Sequence, residues 1–164
     1  MRVLEIGAGG NPILEPGWEH LDARDLWHIE YVQDGTDLSN FTDDEFDRIV
    51  ARDVIEHISW RKIRATLCEW FRVAPILEIE TPDAHELRRI LENPDHPDHR
   101  RVREESDWEM FNRICFGHQD YPENSHASYF TPLWLEGLLL DSGADAVITK
   151  YEDGYRFVLE AHRE

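Results

Sequence analysis

Glycines and a carboxylate stand at the ends of the first two predicted strands, where they could hold a small ligand. Gly7, Ala8 and Gly9 follow an apolar stretch that begins at Arg2. Glycine lets a backbone approach a ligand closely, and the N–H groups of such a turn can bind polar ligand atoms. Asp22 ends the next apolar stretch, where a carboxylate can accept hydrogen bonds from both hydroxyls of a ribose. Each feature alone also fits a tight turn or a strand end.

The glycine turn does not match the fingerprint of nicotinamide dinucleotide sites. In G-x-G-x-x-G the third glycine would stand at position 12, and this chain has Pro12. That glycine belongs to the start of a helix whose N-terminus meets the pyrophosphate. The sequence therefore disfavours a nicotinamide-dependent oxidoreductase.

Histidines supply the candidate catalytic bases, because an imidazole titrates near neutral pH. His126, which shortly precedes the predicted last helix, is the first candidate. His57 is the second, since Glu56 and His57 also fit a simple cap on the loop after the fourth strand.

Three other histidines are expected on exposed loops. His96 and His99 stand three residues apart beside Asp95 and Asp98, a spacing that could ligate a metal. No fourth ligand is evident, and His118 stands apart from them. We therefore predict no metal site.

The elements that would position these residues alternate between strands and helices, as in a single α/β domain spanning residues 1–164. The predicted strands are Arg2–Ile6, Trp18–Asp22, Glu30–Gln33, Phe46–Arg52, Ile76–Thr81, Ala146–Tyr151 and Arg156–Ala161. Asp153-Gly154 predicts a hairpin between the last two strands, because Asp-Gly favours tight turns. The predicted helices are Trp60–Phe71, capped by Ser59, and Pro132–Ser142, capped by Thr131 and closed by Gly143.

The first two crossovers are too short for full helices, which leaves one face of the sheet thinly covered. Pro12 and Pro16 interrupt the first crossover, and the second is only Ala23–Ile29. Apolar residues in or beside these segments would form an exposed patch, which favours a homodimer; they are Ile13, Leu14, Trp18, Leu26, Trp27 and Ile29. Alternatively, the polar segment 84–125 folds back over the patch.

Segment 84–125 is predicted to be a lid. It is polar, it follows the fifth strand, and prolines interrupt it at Asn93-Pro94, His96-Pro97 and Tyr121-Pro122. Loops in this position often close over an active site.

Composition limits the partners. The net charge is −18, from 35 acidic and 17 basic residues, which excludes the broad basic face that binds nucleic acid through its phosphates. The arginines Arg88, Arg89, Arg100, Arg101 and Arg103 are interpreted as a solvated helix face. No stretch reaches the roughly 20 apolar residues of a membrane helix. No leader precedes the first strand, so we expect a soluble cytoplasmic protein. Cys68 and Cys115 are interpreted as two buried thiols.

The order and spacing of these motifs resemble the class I S-adenosylmethionine-dependent methyltransferases, in particular a group of small bacterial and phage sequences. In that group a V-L-E-I-G-x-G-G turn is followed by "pGW…hlD", "D-L" and "fD-x-I…E-H-i". The matching residues here are Val3–Gly10, Pro16-Gly17-Trp18 to Asp22, Asp37-Leu38, and Phe46-Asp47 to Glu56-His57-Ile58. Later matches are Glu80-Thr81-Pro82-Asp83, Gly117, Gln119, His126, Phe130-Thr131, Leu135, Leu139 and Gly143.

The resemblance implies a Rossmann-like, mostly parallel sheet of order 3-2-1-4-5-7-6, with the final strand antiparallel. It implies that Glu5, Gly7, Ala8 and Gly9 hold the amino-acid end of S-adenosylmethionine and that Asp22 holds its ribose. Asp37 and Leu38 would lie at the adenine, and Arg52 would line the same edge. The group's Gly-Gly turn before the fifth strand is missing here, between Arg72 and Ile76, which puts the lid geometry in doubt.

The implied function is methyl transfer to a small polar acceptor, such as a hydroxyl of a sugar or another metabolite. Holding the acceptor in line with the methyl group supplies most of the acceleration, and a base is needed only if the acceptor must lose a proton. The alternative is a cofactor-binding partner or regulatory subunit of the same fold without catalysis.

Overall fold

The computed structural model describes residues 1–93, 95, 107–151 and 155–164. Seven strands form one sheet of order β3-β2-β1-β4-β5-β7-β6. The strands are β1 (Val3–Ile6), β2 (Trp18–Asp22), β3 (Tyr31–Val32), β4 (Arg48–Arg52), β5 (Ile76–Pro82), β6 (Ala146–Tyr151) and β7 (Arg156–His162). The predicted strand order is confirmed. Parallel pairing joins β3 through β5, and β7 lies antiparallel between β5 and β6.

Four helices lie in the described parts of the chain: α1 (Ile63–Val73), α2 (Ala84–Glu92), α3 (Asp107–Phe116) and α4 (Pro132–Asp141). Two 3₁₀ turns, Ile55–His57 and Pro122–Asn124, accompany them. The Asp83 carboxylate caps α2 by accepting from the N–H of His85 at 2.8 Å. Thr131 caps α4 as predicted, and Gly143 follows its end with a positive φ of 118°.

The predicted start of α1 is wrong by one turn. The helix begins at Ile63, and Lys62 stands at its N-cap without a side-chain cap. Ser59 instead accepts the N–H of Lys62 on its backbone carbonyl at 2.7 Å, so residues 59–62 form a turn before the helix. The last two strands pair as predicted, while residues 152–154 of their hairpin turn lie outside the described residues.

The main core lies between the sheet and two helices. α1 packs against β5 and α4, and α4 packs against β6 and β7. Leu4 and Ile6 of β1 point into this core, beside fully buried Trp70 and Leu135. Because side chains alternate along a strand, Glu5 points to the opposite face.

Polar contacts replace helices on that opposite face. Glu5 and His20 are both buried. Glu5 Oε2 accepts the N–H of Ile13 at 2.9 Å, and His20 Nε2 lies 3.1 Å from the Ile13 carbonyl oxygen. His28 Nε2 lies 2.7 Å from the carbonyl oxygen of Gly9. The two short crossovers are therefore attached to the sheet by hydrogen bonds, without a helix in either.

Three other expectations concern surface and burial. Cys68 is exposed on α1 and Cys115 is half-buried, so the interpretation of two buried thiols is wrong for Cys68, because its position faces solvent. Arg88 and Arg89 pair with acids on exposed α2, as a solvated helix face should; positions 100, 101 and 103 lie outside the described residues. In the described ranges, no helix is long and apolar enough to cross a membrane.

Candidate active site

A cavity of about 770 Å³ opens at the carboxyl ends of the parallel strands. Its wall includes Gly7 after β1, Asp22 at the end of β2, Arg52 at the end of β4 and Pro82 at the end of β5. In open α/β sheets, ligands bind at this edge, where the strand order reverses. Here the order reverses between β1 and β4, and the volume is typical of small-molecule sites.

Asp22 is a buried carboxylate on the β2 side of this cavity. Its Oδ2 accepts the N–H of Gly9 at 2.9 Å, and its Oδ1 accepts the N–H of Arg24 at 2.9 Å. Burial alone would raise the pKa of Asp22, but the hydrogen bonds from the Arg24 side chain, the Arg24 backbone and Gly9 outweigh it, and the pKa is lowered. Asp22 is therefore an ionised acceptor at neutral pH.

The glycine turn differs from the expectation that its N–H groups face a ligand. Gly7 and Ala8 both donate to the carbonyl oxygen of Leu21, at 2.8 and 3.3 Å, and Gly9 donates to Asp22. These three N–H groups are used inside the protein because the turn continues the β1–β2 pairing. Gly7 has a φ of +68°, and a Cβ there would clash with Val54 Cγ2. The turn requires glycine for close packing as well as for its conformation.

Glu5 lies behind the cavity wall. One of its oxygens accepts from Arg52 Nη2, and the other accepts from Ile13. Arg52 lines the cavity, whereas Glu5 and Ala8 are not among its described lining residues. Glu5 therefore orients Arg52 and the first crossover rather than facing the open space.

The segment after β3 lines the cavity through Asp34, Gly35 and Thr36. Leu38 is fully buried in the core, and the Asp37 carboxylate accepts the N–H of Ser39 at 3.0 Å. Neither residue belongs to the described cavity wall. The three residues that face the opening directly precede the predicted pair, Asp37 and Leu38.

Both histidine candidates reach the cavity and lie side by side. The rings of His57 and His126 meet edge to face, with centroids 4.8 Å apart. Their backbones are tied together, because the carbonyl oxygen of Glu56 accepts the N–H groups of Ala127 at 2.7 Å and Ser128 at 3.0 Å. Burial lowers the pKa of His57, against a hydrogen bond to the carbonyl of Ser125 that raises it. His96 and His99 lie outside the described residues.

The Glu56 side chain was missed as a chemical group by the sequence reasoning, which weighed it only as a loop cap. It lines the cavity although it is only 2% exposed, and Thr81 Oγ1 donates to its Oε2 at 3.0 Å. Burial, together with the negative charge of Asp53, raises the pKa of Glu56 to about 8. Its position immediately before His57 was the available signal.

An arginine from β7 was also missed. Arg156 bonds Asp53 through Nη2 at 2.9 Å and Glu80 through Nη1 at 2.9 Å. Burial raises the pKa of Asp53, and the charge of Arg156 opposes that shift. Only the antiparallel insertion of β7 beside β5 brings this arginine to the cavity.

Comparisons with solved structures agree with this fold. No protein-family model and no curated protein matches the chain. Among solved structures, a SAM-dependent methyltransferase from Archaeoglobus fulgidus matches with a TM-score of 0.66 and 13% identity, over 99% of this chain and 86% of that one. One from Thermotoga maritima matches with a TM-score of 0.64 and 13% identity, over 99% and 82%. The 1,6-didemethyltoxoflavin-N1-methyltransferase of Burkholderia thailandensis matches with a TM-score of 0.62 and 14% identity, over 98% and 70%.

The chain has the class I methyltransferase fold.

Within this methyltransferase fold, the far side of the cavity is lined by the segment predicted as a lid. Arg113, His118, Tyr121, Glu123 and Asn124 belong to the cavity wall. The Arg24 guanidinium lies 4.5 Å from the centroid of the Tyr121 ring, which connects the Asp22 side to this segment. A cation over an aromatic face is an attractive contact.

Proposed function

We propose that this protein transfers a methyl group from S-adenosylmethionine to a small polar acceptor. The observation that carries the proposal is the buried, ionised Asp22 carboxylate at the end of β2, one strand from the strand-order reversal of a methyltransferase fold. A ribose presents two hydroxyl donors, and a carboxylate is the matching acceptor.

Residues of the cavity wall can be assigned to parts of the cofactor. A Cβ on Gly35 would lie 2.6 Å from Ile6 Cγ2, so the 34–36 turn packs closely against β1 and has no room for a side chain at position 35. Asp22 would hold the ribose, and the 34–36 turn would lie near the adenine. Arg52, oriented by Glu5, offers positive charge to the cofactor carboxylate. The roles assigned to Asp37 and Leu38 stay predictions, as do those of Gly7, Ala8 and Gly9.

Acceptor chemistry would take place on the histidine side of the cavity. When bound, S-adenosylmethionine supplies an electrophilic methyl group. His57 or His126 can take the proton of an acceptor hydroxyl as its oxygen bonds to that methyl carbon. The segment 84–125 would act as a lid that excludes water from this step.

We also propose that the protein is a homodimer that works in the cytoplasm. Two of the six apolar residues predicted to form an exposed patch are exposed, Trp27 at 87% and Leu14 at 68%. The other four are only partly exposed, so the patch is smaller than predicted; they are Ile13, Trp18, Leu26 and Ile29. The described part of segment 84–125 does not cover the Trp27 and Leu14 side chains. Within the described residues, the alternative that this segment folds back over the patch is therefore not supported. A two-fold contact would take the patch out of water.

Calorimetric titration with S-adenosylmethionine and S-adenosylhomocysteine tests cofactor binding. A hydrogen bond to a charged group contributes roughly 1.5–3 kcal/mol, so Asp22→Ala should weaken binding by about ten- to a hundredfold. The exposed Asp25→Ala is the matched control. Absence of heat with the unaltered protein, or equal affinity in Asp22→Ala, contradicts the assignment.

A screen of S-adenosylhomocysteine release tests catalysis. Sugars, phenols, amines and nucleotides would be supplied as separate acceptor panels. Binding without release on every panel would favour the non-catalytic cofactor-binding protein.

A further inference from the structure

The histidine side of the cavity holds three metal-ligating side chains from two distant segments of the chain. Glu56, His57 and His126 each offer one ligand atom, and these atoms all lie within 4.8 Å of one another. We propose that this cluster binds a divalent transition-metal ion such as zinc. It is a different site from the one proposed for the cofactor, which rests on Asp22.

The backbone already brings the two segments together. The Glu56 carbonyl oxygen accepts from Ala127 and Ser128, and Ser128 Oγ donates to the carbonyl oxygen of Ile58 at 2.6 Å. The segment that follows His126 is therefore hydrogen-bonded to the backbone on both sides of His57. A metal ion would bind to a preformed arrangement rather than organise a loose loop.

Neighbouring groups prepare the ligands. His57 Nδ1 lies 3.2 Å from the Ser125 carbonyl oxygen, which can only accept, so Nδ1 carries the hydrogen and Nε2 keeps its lone pair. Thr81 Oγ1 orients the Glu56 carboxylate through Oε2. Metal-binding histidines commonly donate their second N–H to a carbonyl or carboxylate in this way.

Charge favours a cation at this place. Glu56 is only 2% exposed, and no arginine or lysine in the described chain forms a salt bridge with it. A buried carboxyl group without a cationic partner is held as the neutral acid unless a metal ion takes the place of its proton. The nearby Arg156 is bonded to Asp53 and Glu80 instead.

The donor set selects the class of ion. Two imidazoles and one carboxylate suit zinc and its first-row neighbours, whereas magnesium and calcium prefer oxygen ligands alone. Ligands at about 2.0–2.1 Å from tetrahedral zinc lie roughly 3.3 Å apart. The three ligand atoms here lie within 4.8 Å of one another, so side-chain rotations that move each atom by about 1 Å would bring them to zinc-binding distances. Three protein ligands leave a position open toward the cavity.

The consequence for the reaction rests on the proposed function. An acceptor hydroxyl oxygen at the open position would lose its proton more easily, because a metal ion lowers the pKa of a bound oxygen acid. His57 and His126 would be ligands in this arrangement, so the proton would leave to solvent. The oxygen–carbon bond would form, and the electron pair of the broken carbon–sulfur bond would stay with sulfur. The acceptor class would then be a hydroxyl compound.

Titration with Co²⁺ tests the site without the cofactor. The full chain is treated with chelator, dialysed and titrated while visible absorption is recorded. We expect one saturable equivalent in the unaltered protein and at least tenfold weaker binding in both His126→Ala and Glu56→Gln. His118→Ala, a histidine on the same cavity outside the cluster, should bind like the unaltered protein. Circular dichroism of the metal-free variants checks their fold.

The two proposals fail separately. The metal site is contradicted if the unaltered protein takes up no saturable Co²⁺, or if His126→Ala and Glu56→Gln bind Co²⁺ as tightly as the unaltered protein does. Direct proton transfer to His57 or His126 would then remain as the mechanism. Cofactor titration on chelator-treated protein, compared with Asp22→Ala, tests the cofactor site independently of the metal. If only one of the two variants fails to fold, the other decides the outcome. If both unfold, His57→Ala replaces them with the same expected loss.

Discussion

The Arg24 guanidinium forms a bidentate ion pair with the Asp22 carboxylate, with Nε 3.0 Å from Oδ1 and Nη2 3.3 Å from Oδ2. The guanidinium therefore occupies the lone pairs that the ribose hydroxyls would use. Its contact with the Tyr121 ring holds it there from the other side. Cofactor binding through Asp22 requires Arg24 to move.

Arg24→Ala should therefore bind S-adenosylhomocysteine at least as tightly as the unaltered protein. The substitution removes a competitor for Asp22 and leaves the Gly9 hydrogen bond in place. Calorimetry beside Asp22→Ala measures the difference, with Arg88→Ala on exposed α2 as the control for lost positive charge. A tenfold loss in Arg24→Ala would mean that Arg24 itself contacts the ligand.

The lowered pKa of Asp22 also predicts a dependence of stability on pH. Its ordinary value is 3.8, and the folded value lies below that. The ionised carboxylate therefore stabilises the folded state fully above about pH 4, and this contribution is lost as the pH falls through the folded pKa. In urea unfolding, the free energy of unfolding of the unaltered protein should exceed that of Asp22→Asn at pH 7, and this difference should narrow below pH 4. A difference that is constant with pH would contradict it.

Trp70→Phe should destabilise the protein and weaken cofactor binding together. The buried Trp70 indole donates to the carbonyl oxygen of Gly35 at 2.8 Å, on the turn that lines the cavity. Removing the donor leaves a carbonyl unpaired, which costs about 1–3 kcal/mol. Urea unfolding and calorimetry measure the two effects, and exposed Trp60→Phe should change neither. Unaltered stability in Trp70→Phe would show that water replaces the indole.

Trp27→Glu should split the proposed dimer. A charge on the exposed crossover patch disfavours burial against a second copy. Light scattering after size exclusion should give twice 19.4 kDa for the unaltered protein and 19.4 kDa for the variant. Leu133→Glu, an equally exposed apolar residue on α4, is the control. A monomeric unaltered protein at micromolar concentrations ends the proposal, and a dimer that survives Trp27→Glu places the interface elsewhere.

Segment 84–125 should exchange its amide hydrogens faster than α1 in the free protein and more slowly with cofactor and acceptor bound. Closure over the cavity would protect its amides, because its residues 113–124 already contribute to the wall. Mass-spectrometric hydrogen exchange measures both states. Strong protection without any ligand would make the segment a static part of the fold.

The strands of the sheet could be predicted from local sequence patterns, and their order could be predicted from the resemblance to class I methyltransferases. Apolar stretches separated by turn residues located all seven strands, with errors confined to a few end residues, such as the short β3. Asp22 was found because a single carboxylate ends a strand. The start of α1 was misplaced because Ser59, a good capping residue, precedes a turn rather than the helix.

The site itself could be predicted only in part, because its contacts are made by tertiary structure. The pairing of Glu56 with Ala127 and Ser128 joins segments that no local pattern connects. Arg156 reaches Asp53 only because β7 inserts beside β5. The internal bonds of the glycine turn depend on the Leu21 carbonyl across the β1–β2 pairing, which spacing along the chain does not reveal.

The position of β7 between β5 and β6 has a consequence during synthesis of the chain. β5 and β6 both leave the ribosome before the strand that separates them, so neither can pair at that edge while β7 is still unmade. The hydrogen-bonding edge of β5, with buried Leu77 and Ile79, stays open during this interval. An open apolar edge is a template for pairing with another chain. Slow translation of the region between β5 and β7 should therefore lower the yield of folded protein through aggregation, without any change in its final stability.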